Sequence, residues 1–123
     1  MTDSGIRHED WARGWKIRDD YMDAPIYGRV YRVEPNSREV RKLDSGIRFT
    51  NGIAFGPDNN LYVNETLTGM VYRYQWSHGR ISGAREDFGN VIDPIGPKGL
   101  KGPDGMAFGR NGKLFVTCMG RAM

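Results

Sequence analysis

Two short motifs in this chain place an oxygen donor directly ahead of a glycine: Asn51-Gly52 and Pro103-Asp104-Gly105. An amide carbonyl and a carboxylate are hard ligands, suited to Ca2+, Mg2+ or Mn2+ rather than to a structural zinc site made of cysteine and histidine. A cation held between them would polarise a carbonyl group and lower the pKa of an attacking water. Asp104 could also accept that water's proton. Taken singly, Asn-Gly and Asp-Gly are turn dipeptides. What sets these two apart is that they recur at equivalent places in a repeat.

The segment 51–65 aligns without a gap on 104–118, with identities at Gly52/Gly105, Ala54/Ala107, Phe55/Phe108, Gly56/Gly109, Leu61/Leu114 and Val63/Val116. A second pair, Gly28 to Glu34 and Gly69 to Gln75, shares Gly28/Gly69, Val30/Val71, Tyr31/Tyr72 and Arg32/Arg73. The two offsets differ, and the Gly- and Pro-rich stretch from Gly89 to Pro103 is long enough to hold the difference as a loop. Each repeated piece is a short run of Val, Ile, Tyr and Phe bounded by Gly, Pro, Asn and Asp, which is a strand pattern. Pro57 to Asn60 and Arg110 to Lys113 fall where hairpin turns would join strand pairs.

Strands are therefore predicted near 51–56, 60–65, 69–75 and 82–88, with earlier ones near 28–34 and 38–43 and later ones near 104–109 and 113–118. Four-stranded units recurring at about 40–50 residues point to an all-β propeller, of which this chain holds about two blades. The division is a half blade over 1–47, a full blade over 48–90 and a half blade over 101–119. A small antiparallel sandwich that happens to repeat is the competing architecture. In the propeller, Asn51 and Asp104 begin innermost strands of adjacent blades, at one end of the central channel, where they could share an ion.

Other residues at that end are weaker candidates for substrate contact. Glu65 closes a second strand on the same face as Asn51, although a strand-end glutamate is ordinarily just solvated. Trp11 and Trp15 have helical spacing inside the long connection from Ser4 to Pro25, so this stretch is a short lid helix over the site or, equally, a flexible charged loop or a segment packing both indoles on the blade top. His8 and His78 lack metal-ligand spacing and read as surface residues.

The bulk composition narrows the partners. The 18 basic and 15 acidic residues are interspersed along the chain, so no basic stripe follows a phosphate backbone and nucleic acid is not expected. Cys118 is the single cysteine, which excludes an internal disulfide framework, fits a reducing compartment and reads as a half-buried strand thiol. The N-terminal residues lack signal-peptide character and no apolar run reaches membrane-span length, so a cytoplasmic location and no membrane partner are expected.

The stretches Asn51 to Val63 and Pro103 to Val116 resemble consecutive blade motifs of the gluconolactonase, senescence-marker-protein and luciferin-regenerating-enzyme family of calcium-dependent lactonases. Gly28 to Glu34 resembles the strand that precedes them, and the likeness runs over residues 26–118. It implies a six-bladed ring with a divalent ion at the channel mouth, Ca2+ first and Zn2+, Mg2+ or Mn2+ as alternatives. It also implies hydrolysis of a small sugar lactone or related ester, Asn51 and Asp104 as metal ligands, and Asp104 as general base.

The family's glutamate ligand belongs to a first blade, and a further asparagine opens the blade before residue 1; neither segment is among these residues. Met1 to Gly5 resembles the end of a second blade strand, so the chain reads as an internal fragment or truncated product, inactive alone, with open blade edges suited to self-association. A non-catalytic binding module and a strictosidine-synthase-like propeller are the alternative readings.

Overall fold

The computed structural model describes residues 1–12, 16–92 and 101–119. Its strands are β1 (Thr2–Asp3), β2 (Trp11–Ala12), β3 (Lys16–Ile17), β4 (Gly28–Val33), β5 (Val40–Ile47), β6 (Thr50–Phe55), β7 (Leu61–Glu65), β8 (Met70–Ser77), β9 (Arg80–Asn90), β10 (Pro103–Phe108) and β11 (Leu114–Cys118). The 3-10 turn His8–Asp10 is the one helical element among the described residues.

The strands form antiparallel sheets of the orders β1-β4-β5, β6-β7-β8-β9 and β10-β11, plus the small hairpin β2-β3. The four-stranded sheet is a blade, and the sheets on either side of it supply parts of two more, so the architecture is a partial β-propeller. Repeat-equivalent residues take equivalent partners: Thr2 faces Val30 in the first sheet as Asn64 faces Val71 in the second. β1 thus stands where the end of a second blade strand belongs.

The blades are held face to face by apolar side chains on alternate strand positions. Val30 and Ile47 of the first sheet pack against Leu61, Val63 and Tyr74 of the second, all nearly inaccessible to solvent, with Leu43, Ile53 and Trp76 at the margin. Burying each such side chain contributes about 1.5–3 kcal/mol. On the other side, Tyr62 meets Phe108 edge to face at 4.8 Å, joining the middle blade to β10.

A second apolar cluster gathers Ile17, Ala24 and Ile26 onto Phe49 and Leu67, with Met119 against it. Phe49 precedes β6, Leu67 follows β7 and Met119 follows β11, so the described residues of the connection, Ile17 and Ala24 among them, cover the end of the blades where Asn51 lies. Arg48 fastens it there: its guanidinium donates to the carbonyl oxygens of Tyr21, Met22, Ala24 and Ile26 at 2.9–3.2 Å.

In its described residues this connection is not the lid helix that the tryptophan spacing allows. Asp10 decides its shape. The fully buried carboxylate accepts the Arg7 backbone N–H at 2.8 Å, and the Asp10 carbonyl accepts the Arg18 N–H at 2.8 Å. Satisfying that buried acid locally closes a 3-10 turn and folds the chain back as the β2-β3 hairpin instead of propagating a helix. Trp11 sits on that hairpin, 38% exposed, and Trp15 lies outside the described residues.

Candidate functional site

Asn51 and Asp104 occupy the same irregularity in adjacent blades. Along β6 the pairing passes from Thr50↔Glu65 to Ile53↔Val63, three residues advancing against two. Along β10 it passes from Pro103↔Cys118 to Met106↔Val116, the same step. Each is a β-bulge, and the residues inside are Asn51-Gly52 and Asp104-Gly105. A bulge breaks the strict alternation of a strand and re-aims one side chain. These dipeptides therefore serve here as bulges at strand starts and not as hairpin turns.

The two bulges lie against each other. A Cβ built on Gly52 would stand 2.3 Å from the Asp104 carbonyl oxygen and 2.5 Å from the Asn64 amide nitrogen, so only glycine allows this approach of β6 to β10. Asn64, fully buried on β7, bridges the gap. Its Oδ1 accepts the Gly52 N–H at 3.0 Å and its Nδ2 donates to the Asp104 carbonyl at 2.9 Å. Two residues on, the buried Thr66 hydroxyl accepts from Asn51 Nδ2 at 3.2 Å and donates to the Pro103 carbonyl at 2.6 Å. On the opposite side the Thr2 hydroxyl donates to the Asn51 carbonyl at 2.6 Å, so β6 is tied to both neighbouring sheets at its first turn.

The Asp104 side chain is exposed and the Asn51 side chain half-buried. The Asp104 carboxylate is thus open to solvent, while the nitrogen of the Asn51 amide is engaged by Thr66. Among the described residues no three His, Cys, Asp or Glu side chains gather as a metal cluster. Asn51 and Asp104 offer an amide oxygen and a carboxylate, donor types that a hard divalent cation takes.

Glu65 is placed differently from the solvated residue expected of a strand end: it is only 4% exposed. Oε2 accepts the Arg48 N–H at 2.6 Å, while Oε1 accepts the hydroxyls of Thr68 and of Tyr72, the latter at 2.8 Å. With both oxygens engaged, Glu65 secures the β7 end and the Arg48 anchor instead of facing outward. Burial first, then the bond to Glu65, pushes the Tyr72 phenol up to about 12. The Arg85 guanidinium lies over the Tyr72 ring, 4.9 Å from its centre, and pairs with Asp44 at 2.9 Å. His8 and His78 are exposed, and Cys118 is exposed on β11 where a half-buried thiol was expected.

No motif in the sequence singles out Asn64, Thr66 or Arg48. The signal for Asn64 lay in the repeat itself: its counterpart Thr117 is likewise polar in an apolar strand, and the Gly105 N–H donates to the Thr117 hydroxyl at 3.0 Å, as the Gly52 N–H does to Asn64.

The SMP-30/gluconolactonase/LRE-like family profile matches residues 12–123. The chain belongs to this family. Among curated family-like proteins it is 32% identical over 108 residues to lactonase drp35 of Staphylococcus epidermidis strain RP62A, covering 82% of this chain and 30% of that protein. The drp35 lactonase of strain ATCC 12228 is 31% identical over the same extent. The chain thus spans about a third of the length of these relatives. Within the SMP-30/gluconolactonase/LRE-like region, the paired bulges fall inside the matched residues.

Proposed function

We propose that this chain supplies part of the site of a divalent-metal-dependent lactonase, with Asn51 and Asp104 as cation ligands and Asp104 as general base. The observation that carries the reading is the equivalence of the two bulges, which gives Asn51 and Asp104 matching positions at the starts of two strands that pack closely at Gly52. The similarity to drp35 lactonases supports the reaction class. A sugar lactone or related small ester is the substrate class, Ca2+ the first choice of ion, and the cytoplasm the location that fits a single cysteine.

A cation bound there would polarise the lactone carbonyl and acidify a water. Asn51 contributes a neutral oxygen, which holds the ion without cancelling its charge. Asp104 contributes charge and, through its second oxygen, a place for the proton of the attacking water. Asn64 and the Gly52 contact keep the Asp104 backbone fixed, so the carboxylate is presented from a rigid strand and not from a loop. Two protein ligands do not complete a Ca2+ shell of six to eight oxygens. The 123-residue chain alone is therefore expected to bind the ion weakly and to lack appreciable turnover.

The test is to graft residues 26–118 into a complete six-bladed lactonase and assay a sugar lactone with Ca2+ and with chelator. Hydrolysis that the chelator abolishes is expected. A folded graft that leaves lactones intact, or one that is indifferent to chelation, would overturn the proposal, as would brisk metal-dependent turnover by the isolated chain.

A further inference from the structure

An asparagine amide has one end that can ligate a cation and one that cannot, so a ligand role for Asn51 requires that its oxygen and not its nitrogen face the ion. The side-chain bonds around Thr66 decide this. The Pro103 carbonyl is only an acceptor, so at 2.6 Å the Thr66 hydroxyl must spend its single proton on it. Thr66 can then only accept from Asn51, 3.2 Å away. The amide group turned towards Thr66 must be the NH2. This follows from donor and acceptor counting alone, and it turns Oδ1 away from Thr66.

From this geometry we infer that Thr66 is a positioning residue that sets the polarity of the Asn51 amide toward a bound cation, an inference that rests on the ligand reading of Asn51 given above. Thr66 touches no ligand itself. It is 1% exposed, held by its own N–H on the Phe49 carbonyl at 2.9 Å, and packed against Gly102, where a Cβ would overlap the Thr66 carbonyl at 1.7 Å. The same hydroxyl thereby ties the residue before Asp104 to the amide of Asn51, so one side chain coordinates the two bulges. Groups that orient metal ligands from behind typically change metal affinity about 10–100-fold when removed.

The experiment uses the complete propeller carrying residues 26–118, in which the cation shell is filled, with Ca2+ as the probe. Two readouts are taken: calorimetric or NMR titration of Ca2+ affinity, and exchange of the Asn51 side-chain amide protons without metal. Thr66→Val keeps the shape and removes the hydroxyl. It is expected to weaken Ca2+ binding about tenfold and to release the slowed Asn51 amide proton. Thr66→Ser restores the hydroxyl and is expected to bind within about twofold of the parent, with the slowed proton retained.

If Asn51→Ala weakens binding while Thr66→Val does not, the positioning role falls and the ligand reading stands. If Asn51→Ala binds as the parent does, or the parent shows no Ca2+ binding, the ligand reading falls and this inference with it. Should Thr66→Val fail to fold, the parent decides: an Asn51 amide that exchanges freely in the folded parent overturns the assignment, and a slowed one with Thr66→Ser unchanged supports it.

Discussion

The Asn64 side chain donates to the Asp104 carbonyl at 2.9 Å while accepting the Gly52 N–H at 3.0 Å, so one buried amide stitches together the strands that carry the two candidate ligands. Replacing it would leave two backbone groups without partners at the seam between blades. The seam depends equally on there being no side chain at Gly52.

Gly52→Ala is the direct probe of that closeness. A methyl there would meet the Asp104 carbonyl oxygen at 2.3 Å, and that oxygen belongs to a backbone that cannot retreat without breaking the bond to Asn64. Overpacking of this kind costs about 1–3 kcal/mol. Denaturant unfolding should show that loss, whereas Gly83→Ala, at a position with open space for a methyl, should lose less from crowding and more from its positive φ of 79°. A Gly52→Ala chain as stable as the parent, with unchanged amide exchange in β10, would contradict the packing described.

Stability should depend on pH at both ends. Burial works to raise the Asp44 carboxyl, but bonds from the Tyr74 hydroxyl, Arg85 and the Ser45 N–H together hold it below the ordinary value. A carboxylate lowered in the folded state contributes stability above its unfolded pKa of about 4, and that contribution is lost as pH falls through the lower folded value. Tyr72 is shifted the other way. Its raised phenol contributes fully below the unfolded value of about 10 and loses that contribution as pH rises toward 12. Thermal melts across pH should therefore show Asp44→Asn flattening the acid limb and Tyr72→Phe flattening the alkaline limb. Unchanged slopes in either variant would count against the assigned network.

Much of this arrangement could be read in the residues, and the remainder has a physical reason for staying hidden. The strand pattern was legible because apolar alternation and turn residues repeat: 51–56 and 60–65 correspond to Thr50–Phe55 and Leu61–Glu65, and 104–109 to Pro103–Phe108. The placing of Asn51 and Asp104 in matched bulges was implicit in the same alignment, but a bulge is a property of pairing and needs both strands. The Ser4 to Pro25 connection was misjudged in its helical option because local spacing of Trp11 and Trp15 says nothing of Asp10, whose burial imposes the turn. Glu65 was misjudged for a similar reason, since its partners Arg48 and Tyr72 come from different strand ends.

Self-association is the expected behaviour of the 123-residue chain in solution. Among the described residues the strand neighbour of β11 is β10, and Phe115 on β11 is 60% exposed, while Phe55 is 55% exposed at the far end of β6. An unpaired strand edge beside exposed aromatic surface favours pairing between chains. Sedimentation at micromolar concentration should reveal species larger than a monomer. A monodisperse monomer with strong amide protection along β4 and β11 would contradict this.

The central claim, that Asn51 holds an ion and Asp104 both holds it and takes a proton, is tested most directly by rescue with metal. In the complete propeller carrying residues 26–118, lactone turnover is measured for Asp104→Asn and Asn51→Ala across a Ca2+ titration. Asp104→Asn keeps a ligating oxygen but removes charge and basicity, so turnover should fall about 10²–10⁴-fold and stay low at saturating Ca2+. Asn51→Ala should weaken the ion first and recover part of its activity in excess Ca2+. Near-normal turnover of Asp104→Asn at saturating Ca2+, or its rescue in parallel with Asn51→Ala, would contradict the account.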